Sequence, residues 1–136
     1  MKIVVPYDFS DISAKAIYRA RNMTGQENIW IVHVLEPLEV TEPGVVWDSK
    51  ETSDESRKEH AAAEIKKLLD AESLDQVQIE IRIGDPAKEI TQFATEIGAD
   101  LIVIASQGKT GLERILLGSV AESVVRYARC SVLVIK

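Results

Sequence analysis

The strict alternation of short β-rich runs with longer segments of helical period predicts an α/β chain built on one open parallel sheet with helices on both faces. Five strand-like runs are separated by four helical segments, and most connections are short. The run Leu101-Ile102-Val103-Ile104-Ala105 is apolar without a break, as a strand covered on both faces must be. The 136 residues, 46% of them hydrophobic and 28% charged, are enough for a core without disulfide or zinc staples. No internal repeat or composition shift marks a boundary, so a single domain is expected over residues 1–136.

Ile3-Val4-Val5 forms the first strand, ended by Pro6 and the turn-prone Asp8-Phe9-Ser10. From Asp11 to about Met23, the apolar residues Ile12, Ala16, Ala20 and Met23 recur at spacings of four and three, which predicts a helix stopped by Gly25. Residues 29–35, rich in Ile, Val and Trp, form the second strand. Residues 36–53 contain Pro37, Pro43 and Gly44 and no clear period, making the longest loop; such loops tend to be functional or mobile. Residues 54–71 carry Ala61, Ile65, Leu68 and Leu69 on one helical face and Glu64, Lys66, Lys67 and Asp70 on the other.

Val77, Ile79, Ile81 and Ile83 alternate with Gln78, Glu80 and Arg82, predicting a strand at the sheet edge with one face in water. Asp85 before Pro86 reads as an N-cap with proline at the first helical position, and Gly98 as the stop of a helix over residues 86–97. A fourth helix is expected from about Ser119 to Ala128, and Val132-Leu133-Val134-Ile135 closes the chain as a fifth strand.

The 22 acidic and 16 basic side chains leave a net charge of -6, which argues against a nucleic-acid partner. The imbalance is uneven: residues 1–105 carry 11 basic and 20 acidic side chains, whereas residues 106–136 carry 5 basic and 2 acidic. A small polyanion therefore has a locally favourable segment to meet. Cys130 is the only cysteine and no Cys/His cluster supplies metal ligands, so no internal disulfide, no protein-only metal site and a reducing compartment are expected. Met1-Lys2 leads into too short an apolar stretch for a signal peptide, and no run approaches the roughly 20 residues that cross a bilayer. The expectation is a cytoplasmic protein with no membrane association.

In open parallel sheets, ligands collect outside the carboxyl ends of the strands, where the strand order reverses. The strands ending at Tyr7 and Ala105 are the expected flanks of that crevice, which directs attention to Pro6-Tyr7-Asp8 and to the segment after Ala105. Gly108-Lys109-Thr110 is not a Walker A motif, because Val103 stands where that motif needs its first glycine. Ser119-Val120-Ala121-Glu122 reads as a capping box, with Ser119 accepting from the Glu122 amide and Glu122 reaching back. The amides and dipole of that first turn suit an anion, and Gly108 and Gly111 would let a loop close over phosphates. Turn glycines and an ordinary helix start are the plainer alternative. Asp8 likewise either caps the first helix or meets a ligand. His33 is expected as a packed histidine, His60 as a solvated one, Trp30 in the core, Trp47 as an interface or loop anchor, and Cys130 as a small apolar residue.

These residues together resemble the universal stress protein family, whose pattern after the fourth strand is G-x-x-G, nine residues, then G-[S/T], with an aspartate at the end of the first strand. Here the chain reads Ala105-Ser106-Gln107-Gly108, nine residues, then Gly118-Ser119, with Val4-Val5-Pro6-Tyr7-Asp8 at the first strand. The resemblance runs the whole length, through Leu116-Leu117-Gly118-Ser119-Val120-Ala121-Glu122 to the closing strand. It implies a flavodoxin-like or Rossmann-like domain, usually a homodimer, that in one branch of the family binds ATP, with or without Mg2+.

Carried over residue by residue, the resemblance assigns Pro6, Tyr7 and Asp8 to the adenosine and Val34 to the adenine. It assigns Ala105, Ser106, Gly108 and Lys109, with Gly118, Ser119 and Val120, to ribose and phosphates. The departure is Ala105 in place of the first motif glycine, harmless only if that residue keeps a β-like backbone. An ATP-binding stress or signalling protein with at most slow hydrolysis is expected; the alternative is a dimeric scaffold without nucleotide. A receiver-type phosphorylated domain fails, because Asp85 reads as a helix cap. Val132, Leu133, Val134 and Ile135 are the expected dimer edge, through unpaired backbone groups, and protein partners are left unspecified.

Overall fold

A computed structural model describes residues 1–38, 53–107 and 117–136. Its elements are β1 (Ile3–Pro6), α1 (Asp11–Arg21), a single 3-10 turn (Gln26–Asn28), β2 (Ile29–Leu35), α2 (Asp54–Ala71), β3 (Gln78–Ile83), α3 (Pro86–Glu96), β4 (Leu101–Ala105), α4 (Ser119–Tyr127) and β5 (Ser131–Ile135). The five strands form one parallel sheet in the order β3-β2-β1-β4-β5. The expected architecture is present, with order reversing between β1 and β4.

Strand periodicity divides the core into two layers. Ile3, Val5, Ile29, Ile31, Leu101 and Val103 turn to α1 and α2, where they meet Ala16, Ile17, Ala20, Ile65 and Leu69. Val4, Val32, Ile102 and Ile104 turn to α3 and α4, against Ile90, Phe93, Ala94, Ala121 and Val124. Central strands apolar on both sides require helices on both sides, since each buried Val or Ile contributes about 2 kcal/mol only when fully removed from water. Trp30 packs into the α3/α4 layer, as expected of a core residue. No helix among the described residues is long and apolar enough to cross a membrane.

Three local expectations are corrected. α1 ends at Arg21, and its buried face is Ser13, Ala16, Ile17 and Ala20, leaving Met23 exposed. The chain leaves the helix there because the Met23 and Thr24 amides close back on the Ala20 carbonyl and the Thr24 hydroxyl reaches the Met1 carbonyl. Gly25 then caps the 3-10 turn instead of stopping the helix.

β3 does lie at the sheet edge, and Gln78 on its polar face is exposed, but Arg82 on that face is mostly covered. Arg82 lies across α3, donating to Glu96, pairing with Glu89 at 3.6 Å and with Glu80 at 3.2 Å, and standing 5.2 Å over the Phe93 ring. A polar strand face can be covered when the covering helix supplies the counter-charges. The third correction concerns the start of α4 and belongs to the site.

Candidate functional site

β1 and β4 pair only through Ile3 with Leu101 and Val4 with Ile102. Beyond Val4 the two strands part, β1 staying with β2 and β4 with β5, and a crevice opens at their carboxyl ends. It forms a cavity of ≈420 Å³ lined by Pro6, Tyr7 and Asp8 after β1, His33, Val34 and Glu36 of the β2 end, and Ala105, Ser106 and Gln107 after β4. The starts of α3 and α4 complete it through Pro86, Ile90, Gly118, Ser119, Val120 and Ala121, with Ser13 from α1. Pro6, Tyr7, Asp8, Val34, Ala105, Ser106, Gly118, Ser119 and Val120, named from the sequence, thus share one cavity. Gly108 and Lys109 lie outside the described residues, as do Gly111 and Trp47.

Asp8 is held by the helix that follows it. Its Oδ1 accepts from the Ser10 amide at 3.0 Å, from the Ser13 hydroxyl at 2.9 Å and from the Ser10 hydroxyl. Ser10, not Asp8, is the N-cap of α1: its Oγ accepts from the Ser13 amide at 3.2 Å. The turn between them places Phe9 at φ 67°, an uncommon conformation for a non-glycine residue, costing about 1 kcal/mol. The Phe9 ring is held 5.0 Å from both the Tyr7 and the His33 rings. Ser10 and Ser13 were missed from the sequence; the D-x-S-x-x-S spacing of an Asx turn running into an N-cap is the signal that finds them.

His33 ties the ends of β1 and β2 together. Its Nδ1 lies 2.7 Å from the Tyr7 carbonyl, and because a carbonyl only accepts, Nδ1 carries the proton. The Tyr7 amide donates to the Val32 carbonyl at 2.9 Å, extending the pairing one residue past the strand. Burial, reinforced by the negative charges of Asp8 and Asp11, pushes the Tyr7 phenol above its ordinary range, so it remains a neutral hydroxyl.

The capping box expected at α4 is absent. Gly118 is the cap, Ser119 is the first helical residue, and the cap residue, having no side chain, makes no side-chain cap hydrogen bond. Glu122 does not reach back; its carboxylate pairs with Arg126 at 2.8 Å and its amide donates to the Gly118 carbonyl at 2.9 Å. The cause is the approach of the two segments: the Gly118 amide donates to the Ser106 carbonyl at 2.7 Å, and a Cβ there would stand 3.1 Å from that same oxygen. Glycine is required here for closeness, its φ of -59° being ordinary. By contrast α1, α2 and α3 each have a side-chain cap, from Ser10, Ser53 and Asp85. Among the described residues no side chain caps the first turn of α4, whose amides are of the kind that suit an anion.

Ala105 is the last residue of β4, paired with Ile135. Among the described non-glycine residues only Phe9 and Ser73 have positive φ, so the Ala105 methyl meets no backbone penalty.

The sequence profile of the "Universal stress protein family" matches residues 1–136. The chain belongs to the universal stress protein family. A universal stress protein of Methanocaldococcus jannaschii is 37% identical over 139 residues, an alignment covering 99% of this chain and 81% of the relative. The solved structure of universal stress protein UspA from Lactobacillus plantarum superposes with a TM-score of 0.76 at 25% identity, covering 100% of this chain and 97% of that one. A universal stress protein solved in complex with cAMP superposes with a TM-score of 0.66 at 26% identity, covering 99% and 95%. As a universal stress protein, this chain keeps the Gly108, nine residues, Gly118-Ser119 spacing on a site whose β1 and α4 sides are both formed.

Proposed function

We propose that this universal stress protein binds an adenine nucleotide, ATP in the first instance, in the cavity at the carboxyl ends of β1 and β4. The observation that carries the reading is that every described residue named for the nucleotide lines one cavity, whose far wall is a helix start that, unlike the other three described α-helices, has no side-chain cap among the described residues. In this reading Pro6, Tyr7 and Asp8 line the adenosine, where the Asp8 carboxylate accepts from a donor such as an exocyclic amine, and Val34 meets the adenine. Gly118, Ser119 and Val120 present amides to the phosphates, and Ser106, Gly108 and Lys109 border ribose and phosphate. Any Mg2+ rides on the phosphates. The relative solved with cAMP supports an adenine ligand. At most slow hydrolysis belongs to this reading.

The family role that follows is nucleotide-dependent signalling under stress, in the cytoplasm, with partners chosen by nucleotide state. A homodimer through β5 fits, since that strand is a sheet edge with Val132, Leu133, Val134 and Ile135 only half-buried in the single chain. The competing scaffold reading rested on Ala105, and the β-like backbone there removes its support. Heat-denaturing freshly purified protein should release adenine nucleotide, and the emptied protein should bind Mg-ATP; failure of both overturns the reading. Sedimentation at the mass of a single chain would exclude the homodimer.

A further inference from the structure

A second cavity, of ≈380 Å³, lies between α3 and α4, and Ser119 and Val120 line both it and the first. The two cavities therefore meet across the first turn of α4. The wall of the second is unlike the first: Lys88 and Thr91 come from α3, and Ser123 and Tyr127 continue the stripe that Ser119 begins on α4. Lys88 is exposed and makes no ion pair among the described residues. Asp85, which also lines the groove, is turned onto the Lys88 amide as the α3 cap, at 3.0 Å. Tyr127 is 68% exposed, a large aromatic side chain that the fold leaves without cover. Ser119 to Tyr127 is nine residues of helix, and the rise from the first to the last is about 12 Å. A bridge of several phosphates and a ribose covers that distance.

We propose that the groove is the second half of a bipartite site, and that its occupant is the distal nucleoside of a dinucleoside polyphosphate. The proposal rests on the nucleotide reading of the first cavity and extends it. One adenosine occupies the first cavity, the phosphate bridge crosses the first turn of α4 at Ser119 and Val120, which line both cavities, Lys88 meets it from α3, and the second base lies on the Tyr127 ring. A cation and a flat exposed ring lining one groove are the chemistry of a phosphate beside a base. The hydroxyl stripe of Ser119 and Ser123 offers the intervening ribose its partners.

The test titrates the emptied protein with ATP and with diadenosine tetraphosphate. One diadenosine molecule is expected per chain, bound roughly tenfold more tightly than ATP, the gain that one base stacked on one aromatic ring provides. Tyr127→Ala should abolish that gain and leave ATP affinity unchanged, while Tyr127→Phe, which keeps the ring, should restore it. Diadenosine binding no tighter than ATP, equal weakening of both ligands by Tyr127→Ala, or one ligand shared by two chains would each overturn the bipartite site while the first cavity keeps its ATP. Loss of ATP binding itself would overturn both readings together.

Discussion

Replacing Ser13 by alanine tests whether Asp8 is a held group. Ser13 is 2% exposed, and its hydroxyl lies 2.9 Å from Asp8 Oδ1, 2.9 Å from the Ser10 carbonyl and 3.0 Å from Ser10 Oγ; it also accepts from the Asp8 amide at 3.3 Å. One hydroxyl has one proton, so it donates to the carboxylate or to the carbonyl but not to both, and accepts on its other side. Alanine removes one of the three donors around Asp8 Oδ1 and the acceptor that the buried Ser13 offers the Asp8 amide. A buried hydrogen bond to a charged group and an orphaned neighbour together cost about 2 kcal/mol.

For a chain of this size that lowers Tm by roughly 6–10 °C. With its anchor loosened, Asp8 should present itself less well, and ATP affinity should fall about tenfold, the equivalent of about 1.4 kcal/mol. The assay is a thermal melt followed by circular dichroism, together with ATP titration well below the melt. A Tm change under about 2 °C would refute the hydrogen-bond accounting. A large Tm change with unaltered ATP affinity would refute the role given to Asp8. Ser10→Ala, at a half-exposed cap, should cost only about 1 kcal/mol.

Gly118→Ala forces a methyl to 3.1 Å from the Ser106 carbonyl, which is itself held by the Gly118 amide, so a loss of about 1 kcal/mol and weaker ATP binding are expected; an unchanged melt would show that the two segments part at no cost. Ala105→Gly should leave ATP affinity within about twofold and lower stability by roughly 0.5–1 kcal/mol, as glycine does in a strand; a large gain in ATP affinity would revive the scaffold reading. Arg82→Met keeps the stem over Phe93 and removes the guanidinium. The hydrogen bond from that guanidinium holds the Glu96 carboxyl below its ordinary range. A carboxyl so depressed stabilises the fold above its unfolded pKa and loses that contribution as pH falls through the folded value. The Tm gap between wild type and Arg82→Met should therefore be full at neutral pH and close below the ordinary carboxylate range; a gap constant with pH would count against the pair.

The fold was legible because its signals are local. Asp85-Pro86 starts a helix wherever it stands, and the unbroken run 101–105 needs cover on both sides whatever covers it. What was not legible depends on which segments meet. The alternation in β3 reads as an edge facing water along its whole polar side because a lone strand cannot reveal that Glu89 and Glu96 on the next helix lie opposite Arg82 and cover that one residue. Ser119-Val120-Ala121-Glu122 has the letters of a capping box, yet the contact with Ser106, 12 residues back, makes Gly118 the cap and starts the helix one residue earlier than the motif supposes.

Asp8 shows how the two kinds of information join. From the sequence it is either a helix cap or a ligand group. In the structure Ser10 is the cap, and Asp8 grips Ser10 and Ser13 while lining the cavity. A carboxylate free to rotate would lose entropy on meeting a ligand, whereas one fixed by α1 has met that cost during folding. Helix initiation and ligand readiness are then one device, and the buried Ser13, invisible as a site residue in the sequence, couples them.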